Sequence, residues 1–273
     1  MARAVAAARD VALAHSVVCQ DAVVLAGGSN VVVHLKPAPV VARVMTATAA
    51  QHLDVETWLA GEVAIGAFLG GQGLGVSPSD AFAMRPYQRD GLWMTFWEFV
   101  EHDSSRALPS AQELGVSLRE LHTALADFAG QLRPLSDVRD WLDQLLTLLH
   151  PSPKLTVGDI DSLHSRLHAL NPTVFDSALP VQAIHADASL SNLFHTEQGL
   201  LWNDFEDVCV GPVHWDVAGL VADTRAAGAS ETFIADFLHA YGGVQLDELD
   251  DFIAADHVFT TVWQASEAQR GAT

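Results

Sequence analysis

Ile184-His185-Ala186-Asp187-Ala188-Ser189-Leu190-Ser191-Asn192, followed by Trp202-Asn203-Asp204-Phe205-Glu206-Asp207 and by Gly211-Pro212 and Trp215-Asp216-Val217-Ala218, is the stretch on which the fold of this chain turns. Its first part reads H-x-D-x-x-x-x-N, and an Asp-Phe pair begins twelve residues after the Asn. The apolar runs Ala183-Ile184, Leu193-Phe194 and Leu200-Leu201-Trp202 predict short strands around a loop. Phosphoryl transfer gives these residue types a reason to occur at this spacing. That chemistry needs one carboxylate to face the attacking hydroxyl, and an Asn and a second Asp to hold the magnesium that bridges the phosphates.

Outward from that stretch the chain divides by charge and by periodicity. Its 273 residues carry 14 Lys+Arg against 34 Asp+Glu, a formal net charge of −20. That balance argues against nucleic acid and anionic membrane as partners. Up to Leu92 the charges nearly cancel, six basic against seven acidic, whereas the remainder has eight against twenty-seven, a net of −19. The near-neutral part holds short β-branched runs, Ala22–Leu25, Val31–Leu35 and Val40–Met45, then a helix over Val55–Leu69. Strands around Phe82–Tyr87 and Leu92–Val100 follow, joined by the turn Arg89-Asp90-Gly91. The acidic part is helical by period, over Ala111–Leu125, Val138–Leu149, Ile160–Leu170, Val217–Arg225, Glu231–Ala240 and Asp247–Gln269. The expected fold class is α+β, with a small β-rich lobe over 1–98 and a larger, mostly helical lobe over 99–273.

Met1 to Val18 is Ala-rich but interrupted by Arg9, Asp10 and His15, so it reads as an amphipathic lead-in helix and not as a signal peptide. No run of 18 apolar residues occurs. Cys19 and Cys209 make neither a disulfide framework nor a zinc pattern, which points to a reducing compartment and a cytoplasmic location. Cys209 is read as packing. The histidines outside the quoted stretch are assigned to packing or to the surface.

The quoted motifs resemble the signature of aminoglycoside phosphotransferases, shared with choline kinase-like and other small-molecule kinases, over roughly Val23 to Ala254. The resemblance implies a protein-kinase-like bilobal fold that uses ATP or GTP with Mg2+. It implies Asp187 as catalytic base, Asn192 and Asp204 as metal ligands, and His185 and Asp216 as structural support for the catalytic loop. The nucleotide-binding set it implies is Gly27, Gly28, Ser29, Asn30, Arg43, Glu62, Glu98 and Val100. Arg43 stands where protein kinases use Lys, with Glu62 as its partner and Glu56 in reserve, and His122 resembles a packing residue of the first large helix. The resemblance departs at Ser189-Leu190-Ser191, where relatives carry a stiffer triplet such as His-Pro-Gly, and the first loop lacks a full G-x-G-x-x-G.

The acceptor is a small molecule, and the acidity of the second part points to a cationic one. Glu206, Asp207, Asp250, Asp251 and Trp263 are candidates to grip it, with Asp247, Glu248, Asp256 and Trp215 nearby in sequence or kind. Aminoglycosides, other basic antibiotics, amino sugars and choline-like amines stay open. So do the choice of ATP or GTP, the oligomeric state, and an inactive nucleotide-binding or scaffolding relative. Solubility is the alternative account of the acidity. A protein kinase is disfavoured, because Gly211-Pro212 follows Asp204 too closely for a long activation loop and no Ala-Pro-Glu segment occurs.

Overall fold

Strands form where β-branched residues run between Gly and Pro breaks. The computed structural model describes residues 1–28, 30–46, 49, 54–103, 108–152, 155–176 and 178–270. Strands β1 (Cys19–Gly27), β2 (Asn30–Pro37), β3 (Val40–Met45), β4 (Tyr87–Arg89) and β5 (Leu92–Glu98) make one antiparallel sheet in the order β1-β2-β3-β5-β4. Asp90 and Gly91 join β4 to β5 with φ of 52° and 74°, the left-handed pair that a two-residue type I′ hairpin requires. The expected strand around Phe82–Tyr87 shortens to a start at Tyr87, since Pro86 has no N–H to give a ladder. Phe82 instead lays its ring on Phe96, with centroids 3.8 Å apart and planes 6° from parallel.

Helix α1 (Ala2–Ala14) buries Ala4, Ala7, Ala8, Val11 and Ala12 in the same apolar cluster as Val31, Val33, Val44, Met94 and Phe96. Its small side chains let its backbone lie close to the sheet. Helix α2 (Val55–Gly70) begins at Asp54, whose carboxylate accepts from the Thr57 N–H at 3.0 Å, and it buries Glu62 among Leu59, Val63 and Leu69.

These elements form a first unit, Met1–Arg106 together with Leu193–Glu206. The returning piece is the hairpin β7 (Leu193–Thr196) and β8 (Gly199–Trp202). Backbone hydrogen bonds tie it in: Val76 N–H donates to Trp202 O at 2.9 Å, Trp202 N–H to Leu74 O at 3.0 Å, and Asp103 N–H to His195 O at 3.0 Å. A single cut near residue 98 therefore does not describe the chain, because pairing across a hundred residues of sequence leaves no local trace.

The second unit is Ala107–Asn192 with Asp207–Thr273. It contains α3 (Ala111–Leu125), α4 (Ser136–Leu148), α5 (Val157–Ala169), α6 (His214–Ala226), α7 (Glu231–Tyr241) and α8 (Asp250–Arg270). A short antiparallel pair, β6 (Gln182–Ile184) with β9 (Cys209–Gly211), completes it. Capping boxes start two helices: Ser110 with Glu113 at α3 and Thr156 with Asp159 at α5, each satisfying N–H groups that the helix leaves open. No helix among the described residues is long and apolar enough to cross a membrane.

Gly115 is where α3 meets α7. A Cβ there would stand 2.6 Å from Phe237 O and 2.8 Å from Tyr241 N, both backbone atoms that cannot swing aside. In an exposed helix, Gly→Ala gains about 0.5–1 kcal/mol. Here Gly115→Ala is expected to reverse sign and cost about 1–3 kcal/mol as overpacking does, read as a lower denaturant midpoint; a rise in midpoint would refute this packing.

Candidate active site

The loop between β6 and β7 carries Asp187 and Asn192, and α6 holds its first part. Asp216, in the first turn of α6 and 1% exposed, accepts from His185 N–H at 2.7 Å and Ala186 N–H at 2.8 Å. Trp215 Nε1 donates to Ala186 O at 2.9 Å. Both polar backbone groups of Ala186 are thus fixed, which holds this non-glycine residue at a φ of 66°. His122 places Nε2 2.9 Å from Asp216 Oδ2 and Nδ1 2.8 Å from the Tyr241 hydroxyl. A carboxylate only accepts, so Nε2 is the protonated nitrogen. His122 is therefore a hydrogen-bonding member of the loop's support and more than a packing residue.

The Ser189-Leu190-Ser191 departure is braced by other means. Leu190 N–H donates to Asp223 Oδ2 at 2.7 Å, the Ser189 and Ser191 hydroxyls lie 2.8 Å apart, and Asn192 N–H closes a turn on Ser189 O at 3.1 Å. Asn192 Nδ2 donates to the Asp187 backbone oxygen at 2.9 Å and to Asp187 Oδ2 at 2.6 Å. Asp223 escaped the sequence reading. The available signal was its place seven residues after Asp216, two turns along the same face of α6.

In the first unit, Arg43 on β3 gathers three carboxylates: Glu62 Oε1 at 2.7 Å, Asp204 Oδ1 at 2.9 Å and Glu206 Oε2 at 2.7 Å. Burial alone would lower the guanidinium's pKa, but Asp204, Glu206 and Glu62 hold it well above the usual arginine value. One guanidinium against three carboxylates leaves two negative charges over. Asp204 also takes a left-handed φ of 63°. A divalent cation with a preference for oxygen ligands fits that surplus. Trp58 Nε1 fixes the segment by donating to Glu206 O at 2.9 Å.

Arg43, Glu62, Asp204, Glu98 and Val100 all line one cavity of this unit, with apolar walls that include Leu25, Val32, Val41 and Phe194. His102 and Phe194 stack at its edge, with centroids 4.1 Å apart. Gly27 ends β1, Gly28 follows it and Asn30 begins β2; none of the three is among the lining residues, and Ser29 lies outside the described residues. Gly28 has open space where a Cβ would stand, so packing gives no reason for a glycine there.

The second unit has its own cavity of about 600 Å³. Asp187 opens onto it together with Asp223, Asp256, Trp215, Phe259 and Trp263. Of the acids expected from sequence, Asp256 lines this cavity and the others lie elsewhere. Glu206 is held by Arg43, and Asp207 is held by Arg133 at 2.6 Å. Asp251 accepts from Asn171 Nδ2 at 2.7 Å, and neither it nor Asp250 is among the lining residues. Local pairing consumed these groups, whereas Asp223 and Asp256 approach from two helices. Cys209 is buried and burial pushes its thiol up, as suits packing.

The chain belongs to the phosphotransferase enzyme family (APH), whose profile it matches over residues 22–252. Solved structures share its protein-kinase-like fold. Choline kinase LicA from Streptococcus pneumoniae is 14% identical, with a TM-score of 0.68 over 97% of this chain and 92% of that one. Aminoglycoside phosphotransferase APH(3'')-Id from Streptomyces rimosus is 14% identical, with a TM-score of 0.69 over 93% and 98%. Amicoumacin kinase hAmiN, in complex with AMP-PNP, Ca2+ and Ami, is 16% identical, with a TM-score of 0.66 over 94% and 85%. Comparison with curated proteins gave no match.

Burial, and then the Asp223 charge, push the Asp256 carboxyl up to about 6. A raised folded-state pKa means that the folded chain holds the proton more tightly than the unfolded one. Its contribution to stability is present below about pH 4 and is lost as pH rises through 6. Asp256→Asn is expected to flatten the stability-versus-pH curve in that window, measured by denaturation at a series of pH values; an unchanged slope would refute the assignment.

Proposed function

We propose that this protein transfers the γ-phosphate of ATP or GTP to a hydroxyl of a small, amine-bearing molecule. The observation that carries the reading is Asp187, on a loop clamped through its backbone, opening onto a cavity that Asp223, Asp256, Trp215, Phe259 and Trp263 also line. Asp187 accepts the acceptor's hydroxyl proton while that oxygen bonds to the γ-phosphorus and the bond to the β-phosphate oxygen breaks. Before the acceptor arrives, the Asn192 amide holds the Asp187 carboxylate in place. Asn192 and Asp204 are the residues that would hold magnesium, which when bound neutralises charge on the transferring phosphates. Arg43, fixed by Glu62, orients the triphosphate, and the cavity over Glu98 and Val100 takes the nucleotide base.

Asp223 and Asp256 attract the acceptor's ammonium group, and Trp215 and Trp263 offer faces for cation–π contact. Choline kinase LicA and an aminoglycoside phosphotransferase in complex with ADP and streptomycin share the fold, and choline and streptomycin are both cationic. Streptomycin-like aminoglycosides and choline-like amines are the acceptor classes to assay first. Free thiols at Cys19 and Cys209 suit a cytoplasmic setting.

Asp187→Asn is expected to keep nucleotide affinity while lowering kcat by about 10²- to 10⁴-fold, and Asp204→Asn to lose magnesium-dependent nucleotide binding. Nucleotide titration alongside steady-state turnover on an amine panel reads both; wild-type turnover in either variant would overturn the assignment. The acceptor's KM should also climb between about 0.01 and 0.1 M salt, as the Debye length falls from about 30 to about 10 Å. Efficient, salt-independent phosphorylation of an acceptor without an amine would return the acidity to solubility.

A further inference from the structure

Helix α5 carries His164 and His168 four residues apart, so both imidazoles leave the same face one turn from each other. Helix α4 brings Asp143 beside them. Asp143 Oδ1 lies 3.9 Å from His164 Nδ1 and 3.9 Å from His168 Nε2. Hydrogen bonds to oxygen end near 3.2 Å, so two imidazole nitrogens converge on one carboxylate oxygen without being joined to it. The rings are nearly parallel, 15° apart. Among the described residues, this is the one group of three His, Cys, Asp or Glu side chains whose ligand atoms all fall within 4.8 Å of one another.

We propose that Asp143, His164 and His168 form a binding site for a divalent transition-metal ion, Zn2+ above all, separate from the phosphotransfer residues. Two neutral imidazole nitrogens and a carboxylate oxygen are the donor set that zinc takes, at bonds of about 2.0–2.2 Å. Tetrahedral ligands at that distance stand about 3.4 Å apart, so the pairs at 3.9 Å close by about half an ångström. The side chains have the freedom to do so, since they are 52%, 33% and 64% exposed at Asp143, His164 and His168. Their exposure leaves a fourth position to water. Imidazole nitrogen selects against Mg2+ and Ca2+, which prefer oxygen ligands. The bound ion would tie α4, which buries Leu142 and Leu145, to α5, which buries Ile160 and Leu163. The assignment of these histidines to packing or surface roles overlooked the four-residue spacing, and only the fold supplies the third ligand from another helix.

The test is a Zn2+ titration of the full chain, freed of metal with a chelator and kept in millimolar Mg2+, against a chromophoric zinc chelator. One Zn2+ per chain is expected, with affinity reduced at least tenfold in His164→Ala and in His168→Ala and unchanged in His239→Ala, a surface histidine on α7. Zn2+ should raise the melting temperature of the wild type and leave that of His168→Ala unmoved, a readout that does not depend on catalysis. Zinc binding that survives His168→Ala, or that Mg2+ abolishes, would overturn the proposal and leave the phosphotransferase reading untouched.

Discussion

The Asp216 carboxylate is the constraint around which the second unit is arranged. It is buried at the positive end of α6, where a helix stabilises negative charge. A buried carboxylate must find donors, and this one finds two consecutive backbone N–H groups and one imidazole. That requirement sets the path of the chain at His185-Ala186 and therefore the place from which Asp187 departs. Tyr241, on α7, backs His122 from its far side, so three helices, α3, α6 and α7, share the support of one loop.

The same α6 face acts twice. Asp216 holds the start of the loop and Asp223 its middle, through Leu190 N–H, so a rigid helix stands in for the stiff residues that the loop lacks. Asp223 also lines the cavity and faces the charge of Asp256.

Electrostatics in the first unit follows a different rule. Arg43 is surrounded by more negative charge than it can balance. Removing one partner from a buried ion pair costs about 3–5 kcal/mol, so Glu62, 1% exposed at its side chain, and Arg43 keep each other in place. Asp204 and Glu206 are less deeply buried, at 32% and 14% side-chain exposure.

The elements were legible because local forces make them. β3 and α3 run over the residues that pattern alone indicated, Val40–Met45 and Ala111–Leu125, since β-branching, a Ser–Glu capping box and apolar period are written in neighbouring residues. So was the motif that joins Asp187, Asn192 and Asp204, and with it the family. Of the acids of the cavity, Asp256 was among those the sequence indicated and Asp223 was not. Counting charge indicated an acidic half of the chain, yet Glu206, Asp207 and Asp251 are engaged by Arg43, Arg133 and Asn171, while Asp223 and Asp256 line the cavity. The return of the β7–β8 hairpin to the first unit and the meeting of Asp143 with two histidines were equally invisible. Sequence by itself determined the family, because the motif's residue types and their spacing are written along the chain. Tertiary structure decided which charges are left to face a ligand, because partners from distant segments neutralise some carboxylates and helix packing converges others.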